Sequence, residues 1–192
     1  MDGHLALLAP DGTASRRRRI HPLACAGRVA SSRHDACFPG TEDTYPILTT
    51  SALYGPWEIR AHRVRAPAGA AVREGGYAVA DGAPPQVERG PGWALARTEA
   101  GLTSAVVGLH GWGAGPEAAD AVREVEANAY GPHSATPYLL AGAHPGGASV
   151  HVTLVVLTRD DVRPWALKEA IGCVVRGDAV RVTFPDGEEL VL

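Results

Sequence analysis

Residues 172–192 consist of two runs of alternating character separated by turn tripeptides with nothing else between them, a grammar that only β-sheets satisfy. Val180, Val182 and Phe184 fall on one side of a strand and Arg181 and Thr183 on the other, while Arg176-Gly177-Asp178 and Pro185-Asp186-Gly187 supply the bends. The pattern recurs. Residues 5–8 lead through Pro10-Asp11-Gly12 into 13–20, and residues 93–98 lead through Glu99-Ala100-Gly101 into 102–109. A further hairpin joins 47–54 to 57–64 at Gly55-Pro56, where the proline must interrupt ladder pairing.

Strands resume at 138–140 and 148–158, with Pro145-Gly146-Gly147 as the bend. Val150, Val152, Leu154 and Val156 share one face of the second run while Val155 and Leu157 add to the other, which predicts a central strand covered on both sides. Residues 72–80 and 86–89 are weakly patterned. One helical candidate spans 116–127, where Ala118, Ala121, Val122 and Val125 form a stripe behind Pro116, although helix and strand balance there. The expectation is an all-β chain: an antiparallel β-sandwich of successive hairpins, with at most one short helix, forming a single domain over 1–192.

Composition narrows function by exclusion. With 18 basic and 21 acidic residues the net charge is −3, so no global field favours nucleic acid or an acidic membrane surface. The local exception is Arg16-Arg17-Arg18-Arg19, yet alternation on a strand lets at most two of the four share a face, which suits a solvated edge or a surface meeting another domain's acidic groups. The three cysteines, Cys25, Cys37 and Cys173, cannot all pair and make no Cys-x-x-Cys spacing, so a reduced, cytoplasmic compartment is expected. No basic region precedes the short apolar stretch at 5–9, and no apolar run reaches the roughly 20 residues of a membrane helix. A membrane partner is not expected.

Few motifs carry chemistry. Gly111-Trp112-Gly113-Ala114-Gly115 has a phosphate-loop context but neither the Gly-x-Gly-x-x-Gly spacing nor a Gly-Lys-Ser/Thr ending, so it reads as a loop. Arg176-Gly177-Asp178 reads as a hairpin turn. None of the eight histidines forms a His-x-x-x-His pair, and the Cys25/Cys37 spacing lacks a zinc knuckle, so no metal or other cofactor is expected. Residues 128–137 differ: Asn128, Tyr130, His133, Ser134 and Thr136 crowd a segment stiffened by Pro132 and Pro137, read here as a loop lining a cleft. Its imidazole and amide could exchange hydrogen bonds with hydroxyls or carboxylates, or could merely cap a turn. No Gly-x-Ser-x-Gly elbow accompanies Ser134, and no acid/base pair is evident.

Four stretches together resemble one bacterial family: Arg16-Arg17-Arg18-Arg19-Ile20, Gly55-Pro56-Trp57-Glu58-Ile59-Arg60, Asn128 through Pro132-His133-Ser134-Ala135-Thr136-Pro137, and Gly172 through Phe184-Pro185-Asp186-Gly187. They are similar to the C-terminal part of domain of unknown function 2264, whose members resemble heparinase II/III-type polysaccharide lyases. The resemblance implies a β-sandwich that normally follows an α/α toroid of helix pairs. No helix pairs are visible here, which suggests a truncated product, a split partner or an excised fragment. In such lyases the proton-abstracting groups lie mostly on the toroid, so the resemblance implies an accessory domain that is non-catalytic alone, with a toroid domain or nearby-encoded toroid chain as partner. The alternatives are an independent carbohydrate-binding module, with Trp57 and Trp112 as the stacking candidates among the four tryptophans, or a docking remnant without ligand.

Overall fold

The computed structural model describes residues 4–67, 69–81, 86–112, 133–143 and 147–192. Every named strand pairing is antiparallel, which is the all-β architecture the hairpin grammar predicts. The strands are β1 (His4–Leu8), β2 (Arg16–Ile20), β3 (Ala24–Ala26), β4 (Val29–Cys37), β5 (Tyr45–Tyr54), β6 (Trp57–Ala66), β7 (Ala71–Asp81) and β8 (Gln86–Gly90). They continue with β9 (Trp93–Arg97), β10 (Thr103–His110), β11 (His133–Ala143), β12 (Gly147–Thr158), β13 (Gly172–Arg176), β14 (Ala179–Thr183) and β15 (Glu189–Val191).

A nine-stranded sheet runs β2-β4-β5-β6-β12-β10-β9-β8, with β3 beside β4, and it is flanked by two three-stranded sheets, β1-β7-β11 and β13-β14-β15. The large sheet therefore has a different neighbour on each face. Leu5, Leu7 and Val72 of the first small sheet pack with Ile47, Val64, Val106 and Val155 of the large one. On the opposite face Ile59, Ala61, Val107, Val152, Leu154 and Val156 meet Val180, Val182 and Phe184. The expected sandwich thus carries a third layer.

β12 lies between β6 and β10, and its residues 151–156 are all buried, as its two-sided apolar pattern predicts. Two of the sequence hairpins pair otherwise than expected. After the Asp11-Gly12 turn, β1 joins β7 while β2 crosses to β4, leaving only an isolated Leu8–Ala14 bridge between the two arms. β11 likewise pairs with β7, not with β12. The proposed helix at 116–127 lies outside the described residues. A helix that the sequence reading missed, α1 (Pro164–Ala170), starts with Pro164 in its first turn and sets Leu167 against the second core.

Two glycines beside Trp112 have packing reasons. Its indole Nε1 donates to the Val152 carbonyl at 3.1 Å, and its ring lies where a Cβ on Gly108 would come within 2.7 Å of it. Gly111 has φ +79°, and a Cβ there would stand 2.6 Å from the Val150 carbonyl oxygen. The first glycine of the Gly-Trp-Gly stretch thus serves packing.

Candidate functional site

Between the β1-β7-β11 sheet and the large sheet the apolar core gives way to charge. Alternation along β6 turns Ile59 and Ala61 to one face and Arg60 and His62 to the other, and the register sets Thr153 of β12 beside Arg60 and Thr49 of β5 beside His62. Facing them from β7 is Glu74, two positions beyond the buried Val72.

Glu74 is 1% exposed, accepts hydrogen bonds from two side chains and lies within ion-pair distance of a third. Arg60 Nη1 donates to its Oε1 at 3.1 Å, the Thr153 hydroxyl donates to its Oε2, and His62 Nε2 stands 3.3 Å from Oε2. Arg60 is also gripped from its other edge, donating through Nε and Nη2 to both oxygens of Glu58 at 2.8 Å. The far nitrogen of His62, Nδ1, shares a 2.9 Å hydrogen bond with the Thr49 hydroxyl. Burial alone would raise the Glu74 pKa, but the His62 and Arg60 contacts and the Thr153 hydroxyl outweigh it and hold the carboxyl well below the usual range. Burial opposes the charge on Arg60 too, and the two glutamates override it in the same way. The centre is a fixed, ionised carboxylate clamped to a guanidinium.

Thr49, Glu58, Arg60 and His62 of this network, together with Arg17, Ser32 and His34, line an open cleft of about 350 Å³. A second cleft of about 590 Å³ lies on the opposite side of the large sheet, between Trp57, Val156 and Thr158 and the α1 residues Ala166 and Ala170. Burial pushes the Cys173 thiol up to about 11, and all three cysteines are free thiols. Among the described residues no cluster of three histidine, cysteine or acidic side chains is placed to hold a metal.

Those candidate site residues singled out from sequence that the structure describes do not line this cleft. Asn128 and Tyr130 fall outside the described residues. His133, Ser134 and Thr136 belong to a strand and not to a loop, since their backbone pairs with Asp81, Ala80 and Ala78 of β7. Pro137 is accommodated because β11 is an edge strand. Trp112 is 9% exposed, with its ring against His151 at 4.9 Å, so it is a core residue and offers no open face for a sugar. Trp57 lies near-parallel to Phe184 at 5.2 Å, leaving it only partly available at the second cleft. Of the remaining tryptophans, Trp93 and Trp165 tilt 52° to one another. No coplanar exposed pair results.

In the sequence Arg60 figures only as the end of the 55–60 stretch and His62 only as one histidine among eight, and no motif marks Thr49 or Glu74. A signal was present: Ala70, Val72 and Glu74 continue one alternating face, so a charge sits where the pattern demands an inward residue.

No family model matches this chain, and no curated protein does. Its fold is nonetheless similar to parts of solved lyases. A mutant of the heparan sulfate lyase HepC from Pedobacter heparinus matches over 91% of this chain and 27% of that one, with TM-score 0.56 and 10% identity. A heparinase III gene product matches over 93% of this chain and 27% of its own, with TM-score 0.52 and 11% identity. The chain thus spans about a quarter of the length of these lyases.

Proposed function

We propose that the chain is an accessory β-domain of a polysaccharide-lyase-like protein and has no lyase activity by itself. The observation that carries this reading is the asymmetry of coverage: nearly all of this chain matches a minor, β-rich part of a heparan sulfate lyase. The short motifs similar to domain of unknown function 2264 support the same architecture, in which an α/α toroid supplies the rest of the cleft. The rival reading as a free-standing sugar-binding module lacks the coplanar exposed tryptophans it needs: Trp57 lies on Phe184, Trp112 is in the core, and Trp165, 47% exposed, is tilted against Trp93.

Two measurements test it. The coding sequence that adjoins this one should supply helix pairs, and that helical product should co-purify with this chain. Incubated alone with uronate polysaccharides across a range of pH, the purified chain should release no ultraviolet-absorbing unsaturated product. Robust product from the chain alone, abolished by His133→Ala, would overturn the accessory role.

A further inference from the structure

We propose that Thr49, His62 and Glu74 form a hydroxyl-activating triad, and that the cleft above them hydrolyses short-chain acyl esters of polar, hydroxyl-rich alcohols. This goes beyond the accessory role and does not rest on it. The three residues come from successive strands, β5, β6 and β7, and follow one another: Thr49 Oγ1 to His62 Nδ1 at 2.9 Å in a hydrogen bond, then His62 Nε2 to Glu74 Oε2 at 3.3 Å, an ion-pair distance without hydrogen-bond geometry. An ionised carboxylate offers only acceptors, so the imidazole nitrogen facing it carries the proton. In the neutral ring Nδ1 is then the lone pair, and the Thr49 hydroxyl donates to it. That is the arrangement in which a base withdraws a proton from a nucleophile while a third group orients the base.

Two observations separate this from simple core filling. Glu74 already accepts hydrogen bonds from the Arg60 guanidinium and the Thr153 hydroxyl, so the carboxylate is held in place without a hydrogen bond from His62. His62, only 2% exposed, instead directs its second nitrogen to a hydroxyl on the wall of an open cleft. The remaining walls suit a polar alcohol portion: Arg17, Ser32, His34 and Glu58 bear hydrogen-bonding groups around a volume of about 350 Å³, enough for a small ligand.

The reaction balances with water alone. Thr49 Oγ1 attacks the ester carbonyl carbon as its proton passes to His62 Nδ1. The ester C–O bond then breaks, and the alcohol leaves with that proton. Water attacks the acyl-threonine, giving its proton to Nδ1, and the threonine oxygen recovers the proton as the carboxylic acid departs. Glu74 is a positioning residue: its negative charge beside Nε2 stabilises the imidazolium.

The intact chain should be treated with a fluorophosphonate, which forms an O–P bond to an activated hydroxyl as fluoride leaves, and the labelled peptide read by mass spectrometry. The expected result is one phosphonyl group per chain, on Thr49, retained at the same position in Thr49→Ser and absent in Thr49→Val. Hydrolysis of p-nitrophenyl acetate should fall by about a hundredfold or more in Thr49→Val. Glu74→Gln should alter the pH profile of the residual rate. Absence of label at position 49 in both wild type and Thr49→Ser overturns the proposal, as does ester hydrolysis unchanged by Thr49→Val. Thr49→Ser keeps the hydroxyl and so keeps the test decisive even should the valine variant unfold.

Discussion

The two faces of the nine-stranded sheet are built from the same strands and solve opposite problems. On β6 and β12, Ile59, Ala61, Val152, Leu154 and Val156 make a dry contact with Val180, Val182 and Phe184, whereas Arg60, His62 and Thr153 on the other side surround Glu74. The dry face gains from every methylene it hides. The charged face must first desolvate ions, and their mutual attraction returns that cost only when every partner is in place. One face is therefore tolerant of small errors in proportion to their volume, and the other is intolerant of losing any single member. A fold needing only stability could have carried the Leu5, Val72 and Val155 packing across the whole of this face, so its charged part is where function is sought.

The largest expected effect breaks the charged face. Glu74→Ala leaves Arg60 without its inward counter-ion and His62 facing no carboxylate, and should destabilise the fold by about 3–5 kcal/mol. The same carboxylate sets a pH dependence. Its folded pKa lies below its ordinary value of 4.5, so its contribution is fully present above that value and is lost as pH falls toward about 2. Denaturant midpoints measured down that range should drop more steeply for wild type than for Glu74→Gln. Parallel curves would show that the network does not hold the sheets together.

On the dry face Leu154→Ala should cost about 2–5 kcal/mol through lost burial and the cavity left between layers. Leu154 is fully buried, and its strand is flanked by β6 and β10. A shift below about 1 kcal/mol in urea titration would mean that the β13-β14-β15 layer does not close on the large sheet. Comparing the two variants at pH 7 and in acid sharpens the contrast, because only the charged face should respond to protons.

What the sequence disclosed follows from the range of the interactions involved. The β5–β6, β9–β10 and β13–β14–β15 ladders close through short turns, and their turn residues announce them. The crossing of β1 to β7 needs partners more than 60 positions apart, His4 opposite Gly75, and nothing local to either strand encodes that choice. α1 was missed because seven residues behind Arg163 give too short a stripe to register, even with Pro164 at the start. The site shares this fate. Arg60 and His62 are adjacent on one face of a strand that was read correctly, yet Glu74 sits in a run whose glycines, Gly75 and Gly76, blur the alternation that would have marked it inward. A polar constellation assembled from β5, β6, β7 and β12 becomes visible only when the layers are stacked.

The smallest effect concerns the seam where the dry face meets solvent. Tyr54, at the end of β5, stacks on Phe184 at 4.1 Å and donates its phenol to Asp186 Oδ2 at 2.6 Å, tying the β14–β15 turn to the large sheet. The hydrogen bond to Asp186, with partial burial and the negative charges of Asp186 and Glu188, pushes the phenol up to about 12. A raised pKa stabilises the protonated form, so this link should be intact below the ordinary value of 10 and be lost as pH rises through about 12. In an ultraviolet phenolate titration one of the five tyrosines should ionise last. Tyr54→Phe should delete that late step, and Asp186→Ala should return it toward 10 while leaving the other four where they were. Because the pair is exposed and holds only a turn, either variant should disturb stability far less than Glu74→Ala or Leu154→Ala. A late step that survives Asp186→Ala would place its cause in the stacking against Phe184, extending the dry face to the very edge of the layer.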